Sequence, residues 1–236
     1  MSTIAIIVPC FNEANRMQPQ DFVAFGKANS GSVFFFVNDG SRDNTGELLE
    51  KIKEQLPNSR VIHLSENKGK GEAVRQGLLA AVDEEFAFAG YIDADLSTSL
   101  EEFQRLCEFA IKKSADVVFG SRIKKLDSHI ERSAARHLIG RGIATLIDNR
   151  FRLGIYDTQC GAKIFNRHLL PAVLNEPFLT RWFFDVELFL RIRNENKNAA
   201  AYEVPLQKWT NVKNSKISLA SFPSVAKELW TLSRKY

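Results

Sequence analysis

Asp93 and Asp95 stand on either side of Ala94, directly after the apolar segment Gly90-Tyr-Ile. Two carboxylates at a strand end suit Mg2+ or Mn2+, hard cations that take oxygen ligands and are commonly shared with substrate phosphates. An isolated D-x-D is more often an acidic surface turn, so the company it keeps decides its meaning. Asp39 follows the apolar run 33–37 and precedes Gly40-Ser41. An acid there accepts hydrogen bonds from a ribose or base, closes an Asx-turn, or does both. Asn67-Lys-Gly-Lys-Gly71 has the composition of a phosphate loop. It has neither the G-x-x-x-x-G-K-[ST] nor the G-x-G-x-x-G spacing, which disfavours a P-loop triphosphatase and a dinucleotide dehydrogenase. Pro9-Cys-Phe-Asn-Glu13 and Gly120-Ser-Arg122 bring polar and basic groups to the ends of two more apolar runs. Asp185, in Arg181-Trp-Phe-Phe-Asp-Val-Glu-Leu188, is spaced as a helix-surface acid paired with Arg181 one turn away.

These groups need elements to hold them. Residues 4–8, 33–37, 60–64, 90–93 and 116–119 read as strands, and 45–55, 70–83 and 100–113 as helices. Asn44 or Thr45 is placed to cap the first helix, and the 97–99 cluster to precede the third. Strand–helix alternation with unbroken apolar strands predicts an α/β fold, a mainly parallel twisted sheet flanked by helices. Ligands of such sheets bind beyond the carboxyl ends of the strands, where all five polar motifs fall. The second half is less regular. Residues 130–147 read as a basic amphipathic helix with Arg132, Arg136 and Arg141, and Pro223 opens a last helix bearing Val225, Leu229, Trp230 and Leu232.

With 236 residues, 44% hydrophobic and 25% charged, the composition excludes disorder and collagen-like structure. The longest apolar runs are five residues, as at 4–8 and 33–37, whereas a spanning helix needs roughly 20. The start of the chain lacks an export-signal pattern. Cys10, Cys107 and Cys160 fit neither a disulfide framework nor a zinc site, and the expected compartment is a reducing cytoplasm. Residues 122–152 hold eight basic against three acidic residues, and 205–236 hold six against one. Two basic segments on an acidic body point to phosphates or an anionic lipid surface. Nucleic acid is disfavoured, since no base-stacking platform accompanies the charge.

In order, VPCFNE, VNDGSRDNT, NKGKGEAVRQG, DAD, FGSR, DTQCGAK, RWFFDVEL and WTNVKNSK resemble the family 2 glycosyltransferases of the GT-A fold. The likeness is greatest to the dolichyl-phosphate glucosyltransferase and polyprenyl-phosphate sugar synthase branch, and it runs from Ile4 to about Trp230. It implies one GT-A nucleotide-diphospho-sugar transferase domain over 1–236, with a nucleotide-binding half (1–120) and an acceptor half (121–236). It also implies inverting, Mg2+- or Mn2+-dependent transfer from a UDP- or GDP-sugar, UDP-glucose favoured, to a polyprenyl or dolichyl-type lipid phosphate.

Carried over by position, Pro9, Phe11, Glu13, Asp39 and Lys70 would surround the nucleoside, and Asp93 and Asp95 the metal, with Asp95 the more direct ligand. Arg122 and Arg132 resemble phosphate-facing positions, Gln159, Cys160 and Gly161 the sugar wall, Asp185 and Glu187 the acceptor side, and Lys216 a closure over the pyrophosphate. For a sugar hydroxyl acceptor Asp185 would be the general base. A lipid phosphate, with a second pKa of about 6, is largely dianionic at neutrality and needs no base, so Asp185 would then orient it rather than deprotonate it. Two departures stand out. Ser97 occupies a position where several polyprenyl-phosphate mannose synthases carry glutamine, and the chain stops at Tyr236 where many relatives continue into membrane helices. Peripheral attachment to a membrane is therefore expected rather than a spanning anchor. The rival readings are transfer to a soluble or cell-surface saccharide hydroxyl, a nucleotide-sugar-binding scaffold without turnover, and a nucleotidyltransferase. The last usually has a glycine-rich basic loop where this chain has PCFNE.

Overall fold

The computed structural model describes residues 4–131, 134–211 and 222–236. The chain runs β1 (Ile4–Cys10), α1 (Pro19–Ala28), β2 (Ser32–Asp39), α2 (Thr45–Gln55), β3 (Arg60–Leu64), α3 (Lys70–Val82), β4 (Phe88–Ile92), α4 (Leu100–Lys113) and β5 (Val117–Ser121). It continues through β6 (His129–Ile130), α5 (Ala134–Phe151), β7 (Ala162–Asn166), α6 (Leu170–Val173), α7 (Phe184–Glu195), β8 (Ala201–Pro205), β9 (Lys208–Trp209) and α8 (Phe222–Lys235).

Seven strands form one sheet in the order β3-β2-β1-β4-β7-β5-β8. Every pairing is parallel except those of β7, which runs antiparallel between β4 and β5. The mainly parallel sheet expected from the sequence is thus present, and strands of both halves of the chain build it.

Period-two alternation buries both faces of the strands. Ile4, Ile6, Val8, Phe34 and Phe36 meet Phe22 of α1, Leu49 and Ile52 of α2 and Phe103 of α4. Ala5, Ile7, Phe35 and Val37 meet Val74 and Leu78 of α3, Leu170 of α6 and Leu188 of α7. Each large apolar side chain buried this way contributes about 1.5–3 kcal/mol. A third cluster joins Ile147 and Phe151 of α5, Val186 and Leu190 of α7, and Leu232 of α8.

Helices α2 and α4 take the predicted bounds. Ser99 caps α4, its hydroxyl accepting from the Glu102 amide at 3.3 Å. Asn44 fills the cap position of α2 without a side-chain bond. The helix predicted over 130–147 forms over Ala134–Phe151 instead, because His129 and Ile130 pair with Lys208 and Trp209 in a small parallel ladder. Among the described residues no helix is long and apolar enough to cross a membrane.

Candidate active site

β1 lies between β2 and β4, all three parallel, so their carboxyl ends share one edge of the sheet. The Thr45 hydroxyl ties the first two loops together: it accepts from the amides of Glu13 (2.8 Å) and Ala14 (3.1 Å) and donates to Asp43 (2.5 Å). Glu13 is buried and receives the Arg16 guanidinium through Nε at 2.9 Å and through Nη2. Burial opposes the charge on Arg16, but Glu13, with the more distant Asp95 and Asp93, holds its pKa above the ordinary value. Arg16 is thus bound to Glu13 and feels the charge of the carboxylate pair. The sequence reading missed it; a basic residue three positions after Glu13 was the available signal.

Asp39 is buried, and both carboxylate oxygens serve the loop after β3. Oδ1 accepts from the Lys68 amide (2.7 Å), and Oδ2 from the Gly69 amide (2.9 Å) and Asn67 Nδ2 (3.0 Å). The turn after β2 is braced by Asn38 rather than by an Asx-turn at Asp39: Asn38 Oδ1 accepts from the Ser41 amide, three residues on, at 3.1 Å. Gly69 holds φ +96° at the N-cap of α3, a conformation costly for any side chain.

That loop delivers Lys70 to the carboxylates. Its Nζ lies 2.5 Å from Asp93 Oδ1, and 5.6 and 5.9 Å from the ring centroids of Tyr91 and Phe184. Burial opposes its charge, yet Asp93, Asp185 and Asp95 together keep its pKa above normal. Asp95 Oδ1 accepts from the Ser97 amide at 3.0 Å, so it is the backbone of Ser97 that steadies this turn. The Asp93 amide donates to Gly161 O at 3.1 Å, and a Cβ at Gly161 would fall inside the Asp93 carboxylate. Asp93 thus lies against Lys70 on one hand and the Gly161 backbone on the other.

This donor set fits a divalent metal shared with a diphosphate. Among the described residues no group of three His, Cys, Asp or Glu side chains can hold an ion by itself. Two all-oxygen ligands beside Lys70 and Arg16 match a hard cation that takes its remaining ligands from phosphate and water.

Several predicted residues take other places. Arg122 does not stand open to phosphate: its Nε and Nη2 each bond Asp157 at 2.7 Å, its amide donates to the same carboxylate at 3.1 Å, and Trp209 stacks 5.5 Å away. Burial opposes the Arg122 charge and Asp157 more than restores it. Asp185 does not pair with Arg181 and is not a surface acid. It is 4% exposed and accepts from the Tyr91 hydroxyl and, at 2.7 Å, from Lys163 Nζ. Burial, then the Asp185 charge, pushes the Tyr91 hydroxyl well above its usual pKa, so it stays a donor.

Glu187 belongs to the scaffold rather than the acceptor side. It is fully buried, bonding Arg191 at 2.7 Å and the Leu179 and Thr180 amides at 2.8 and 3.2 Å. Cys160 is buried beside Gly120, its thiol pushed up to about 11 first by burial and then by Asp157. The buried Nε2 of Gln159 has no hydrogen-bond partner among the described residues. Pro9 and Phe11 are half-buried at the end of β1. Arg132 and Lys216 lie outside the described residues. Asp157 and Lys163 sit inside the DTQCGAK motif, but nothing local in the sequence names their partners.

Residues 5–174 match the family described as glycosyl transferase family 2. The chain belongs to that family. It is 35% identical to the dolichyl-phosphate beta-glucosyltransferase of Saccharomyces cerevisiae, over 92% of this chain and 70% of the relative. It is 29% identical to the enzyme of that name from Dictyostelium discoideum, over 99% of this chain and 74% of the relative. The family 2 enzyme also shares its GT-A fold with glucosyl-3-phosphoglycerate synthase from Mycobacterium tuberculosis, solved with Mn2+, uridine diphosphate and phosphoglyceric acid. The TM-score is 0.72 at 17% identity, over 98% of this chain and 78% of that one.

Proposed function

We propose that this glycosyltransferase moves glucose from UDP-glucose to a dolichyl or other polyprenyl phosphate, with inversion and with Mg2+ or Mn2+. The observation that carries the reading is the Asp93–Asp95 pair at the strand end with Lys70 against Asp93, in a chain similar along nearly its whole length to dolichyl-phosphate beta-glucosyltransferases. Structural neighbours bind uridine diphosphate with Mn2+ or Mg2+, which supports the donor and cofactor. A bound divalent ion would neutralise the diphosphate as its bond to the sugar lengthens. Lys70 and Arg16 add fixed positive charge, and Asp93 and Asp95 would hold the ion. Asp39 fixes the Asn67–Gly69 loop at the edge where Pro9 and Phe11 would flank the base. Gln159 Nε2, a buried donor without a partner among the described residues, would be satisfied by a sugar hydroxyl.

In the reaction a phosphate oxygen of the acceptor forms a bond to the anomeric carbon from the face opposite the leaving group. The bond from that carbon to the diphosphate oxygen breaks, and uridine diphosphate leaves with the electron pair. Starting from an α-linked donor, inversion gives a β-linked product. The burial of Asp185 beneath Tyr91 and Lys163 favours a phosphate acceptor over a hydroxyl, because an acid so enclosed is poorly placed to take a proton.

A lipid acceptor also fits the exterior. Leu138, Ile139 and Leu146 of α5 and Trp230 of α8 are exposed. Arg234 stacks 4.9 Å from Trp230, and Arg150 reaches Ser233 O at 2.6 Å, joining the two helices. Apolar and basic groups on two adjoining helices suit peripheral docking on an anionic membrane, each cation near the surface adding about 1 kcal/mol.

The test is incubation with radiolabelled UDP-glucose or GDP-mannose, Mn2+ or Mg2+, and dolichyl phosphate or a soluble saccharide, alongside sedimentation with anionic and neutral vesicles at two salt concentrations. Expected are EDTA-sensitive, UDP-glucose-dependent labelling of the lipid and salt-sensitive binding to anionic vesicles. Transfer to saccharide alone would overturn the acceptor, and donor binding without transfer would favour a scaffold.

A further inference from the structure

Lys163 is the one residue of the DTQCGAK motif whose ionised side chain is wholly inside the protein, at 0% exposure. A buried ammonium is costly unless paired and hydrogen-bonded, so its partners show what it is used for. Nζ donates to Asp185 Oδ1 at 2.7 Å and to Cys160 O at 2.6 Å, with the Tyr91 and Phe189 rings 5.3 and 5.7 Å away. Lys163 and Tyr91 are register partners across the antiparallel β4–β7 ladder. Both side chains therefore leave the same face of the sheet and meet at Asp185 on α7.

The bond to Cys160 O has a consequence at the site. The next residue, Gly161, accepts from the Asp93 amide at 3.1 Å and lies against the Asp93 carboxylate so closely that no Cβ would fit. Lys163 thus pins from below the turn that backs Asp93 from the side. Asp185 anchors Lys163, and its negative charge also reaches Lys70, the ion-pair partner of Asp93.

We propose that Lys163 is a positioning residue of the donor site: anchored by Asp185 and Tyr91, it fixes the Cys160–Gly161 turn that sets the Asp93 carboxylate. The inference rests on the reading of Asp93 as a metal-and-diphosphate residue. Residues that orient metal ligands typically affect metal affinity or activity 10–100-fold when replaced.

The experiment compares the full chain with Lys163→Met and with the double variant Lys163→Met/Asp185→Asn. The double variant leaves no unpaired buried charge and keeps an acceptor for Tyr91, so it guards against simple failure to fold. Near-UV circular dichroism establishes that each variant is folded. Free Mn2+ is then titrated by electron paramagnetic resonance with saturating uridine diphosphate, and hydrogen exchange is followed at the Asp93 amide. Expected is a roughly 10- to 100-fold weaker Mn2+ affinity in both variants, with faster exchange at Asp93. A merely structural lysine would lower the melting temperature and leave both readouts of the folded protein unchanged. That result in the double variant overturns the proposal. If the parent protein binds no Mn2+, the metal reading fails, and the exchange rate at Asp93 alone decides the inference: faster exchange upholds it and unchanged exchange overturns it.

Discussion

Replacing Asp157 with alanine removes the partner of Arg122, and the structure sets the size of the effect. Asp157 accepts both guanidinium bonds at 2.7 Å, the Arg122 amide at 3.1 Å and the Gln159 amide at 3.3 Å. The side chains are 16% and 8% exposed, so little solvent reaches the pair. Breaking a buried ion pair from one side costs about 3–5 kcal/mol, mostly because the remaining charge is left without compensation. Native domains hold only about 5–15 kcal/mol in total. At this chain length each kcal/mol moves the melting temperature by about 2–4 °C, so Asp157→Ala should melt roughly 6–20 °C below the parent. Thermal and urea unfolding followed by far-UV circular dichroism gives the number, and a cycle with Arg122→Met and the double variant isolates the coupling. The double variant should be far less destabilised than the sum of the singles. A loss within about 1 kcal/mol for Asp157→Ala, the size of a solvent-screened surface pair, would refute the structural role and return Arg122 to the phosphates.

Asp95→Asn should lower turnover on the order of 100-fold with an unchanged circular dichroism spectrum, since this half-exposed side chain contributes little packing; activity that survives both the substitution and EDTA would remove the metal from the reading. Gly161→Ala places a methyl group inside the Asp93 carboxylate, so Mn2+ binding measured by calorimetry should collapse in a protein that still folds, and parent-like affinity would contradict the close approach. Burial, then the charge of Asp157, pushes the Cys160 thiol up to about 11. At pH 8 its thiolate is therefore more than about 100-fold scarcer than that of a free cysteine. Alkylation at Cys160, mapped by mass spectrometry, should be correspondingly slow and rise as pH approaches that value; labelling at the free-cysteine rate would show the thiol to be open.

What the sequence determined by itself are the features written in a few neighbouring residues. Apolar runs, glycines and capping serines place the first five strands and the helices α2, α3 and α4 within a residue or two at most ends. Strand–helix alternation then predicts where the polar loops gather, because a covered parallel sheet leaves only its strand ends open to a ligand. Asp93, Asp95 and Lys70 were legible for that reason. Partnership was not. Asp185 looks like an exposed base when only Arg181 and the helix spacing are in view; the fold brings it Tyr91 from 94 positions away and Lys163 from 22. Arg122 looks free until Asp157, 35 positions later, closes on it. Both outcomes follow from β7, whose antiparallel insertion between β4 and β5 sets the DTQCGAK motif against the Asp93–Asp95 turn. Its course depends on the edges of β4 and β5 between which it pairs, both distant from it in sequence. Propensity acts over one turn or one strand, whereas the environment of a charge is set by whatever the rest of the chain packs around it.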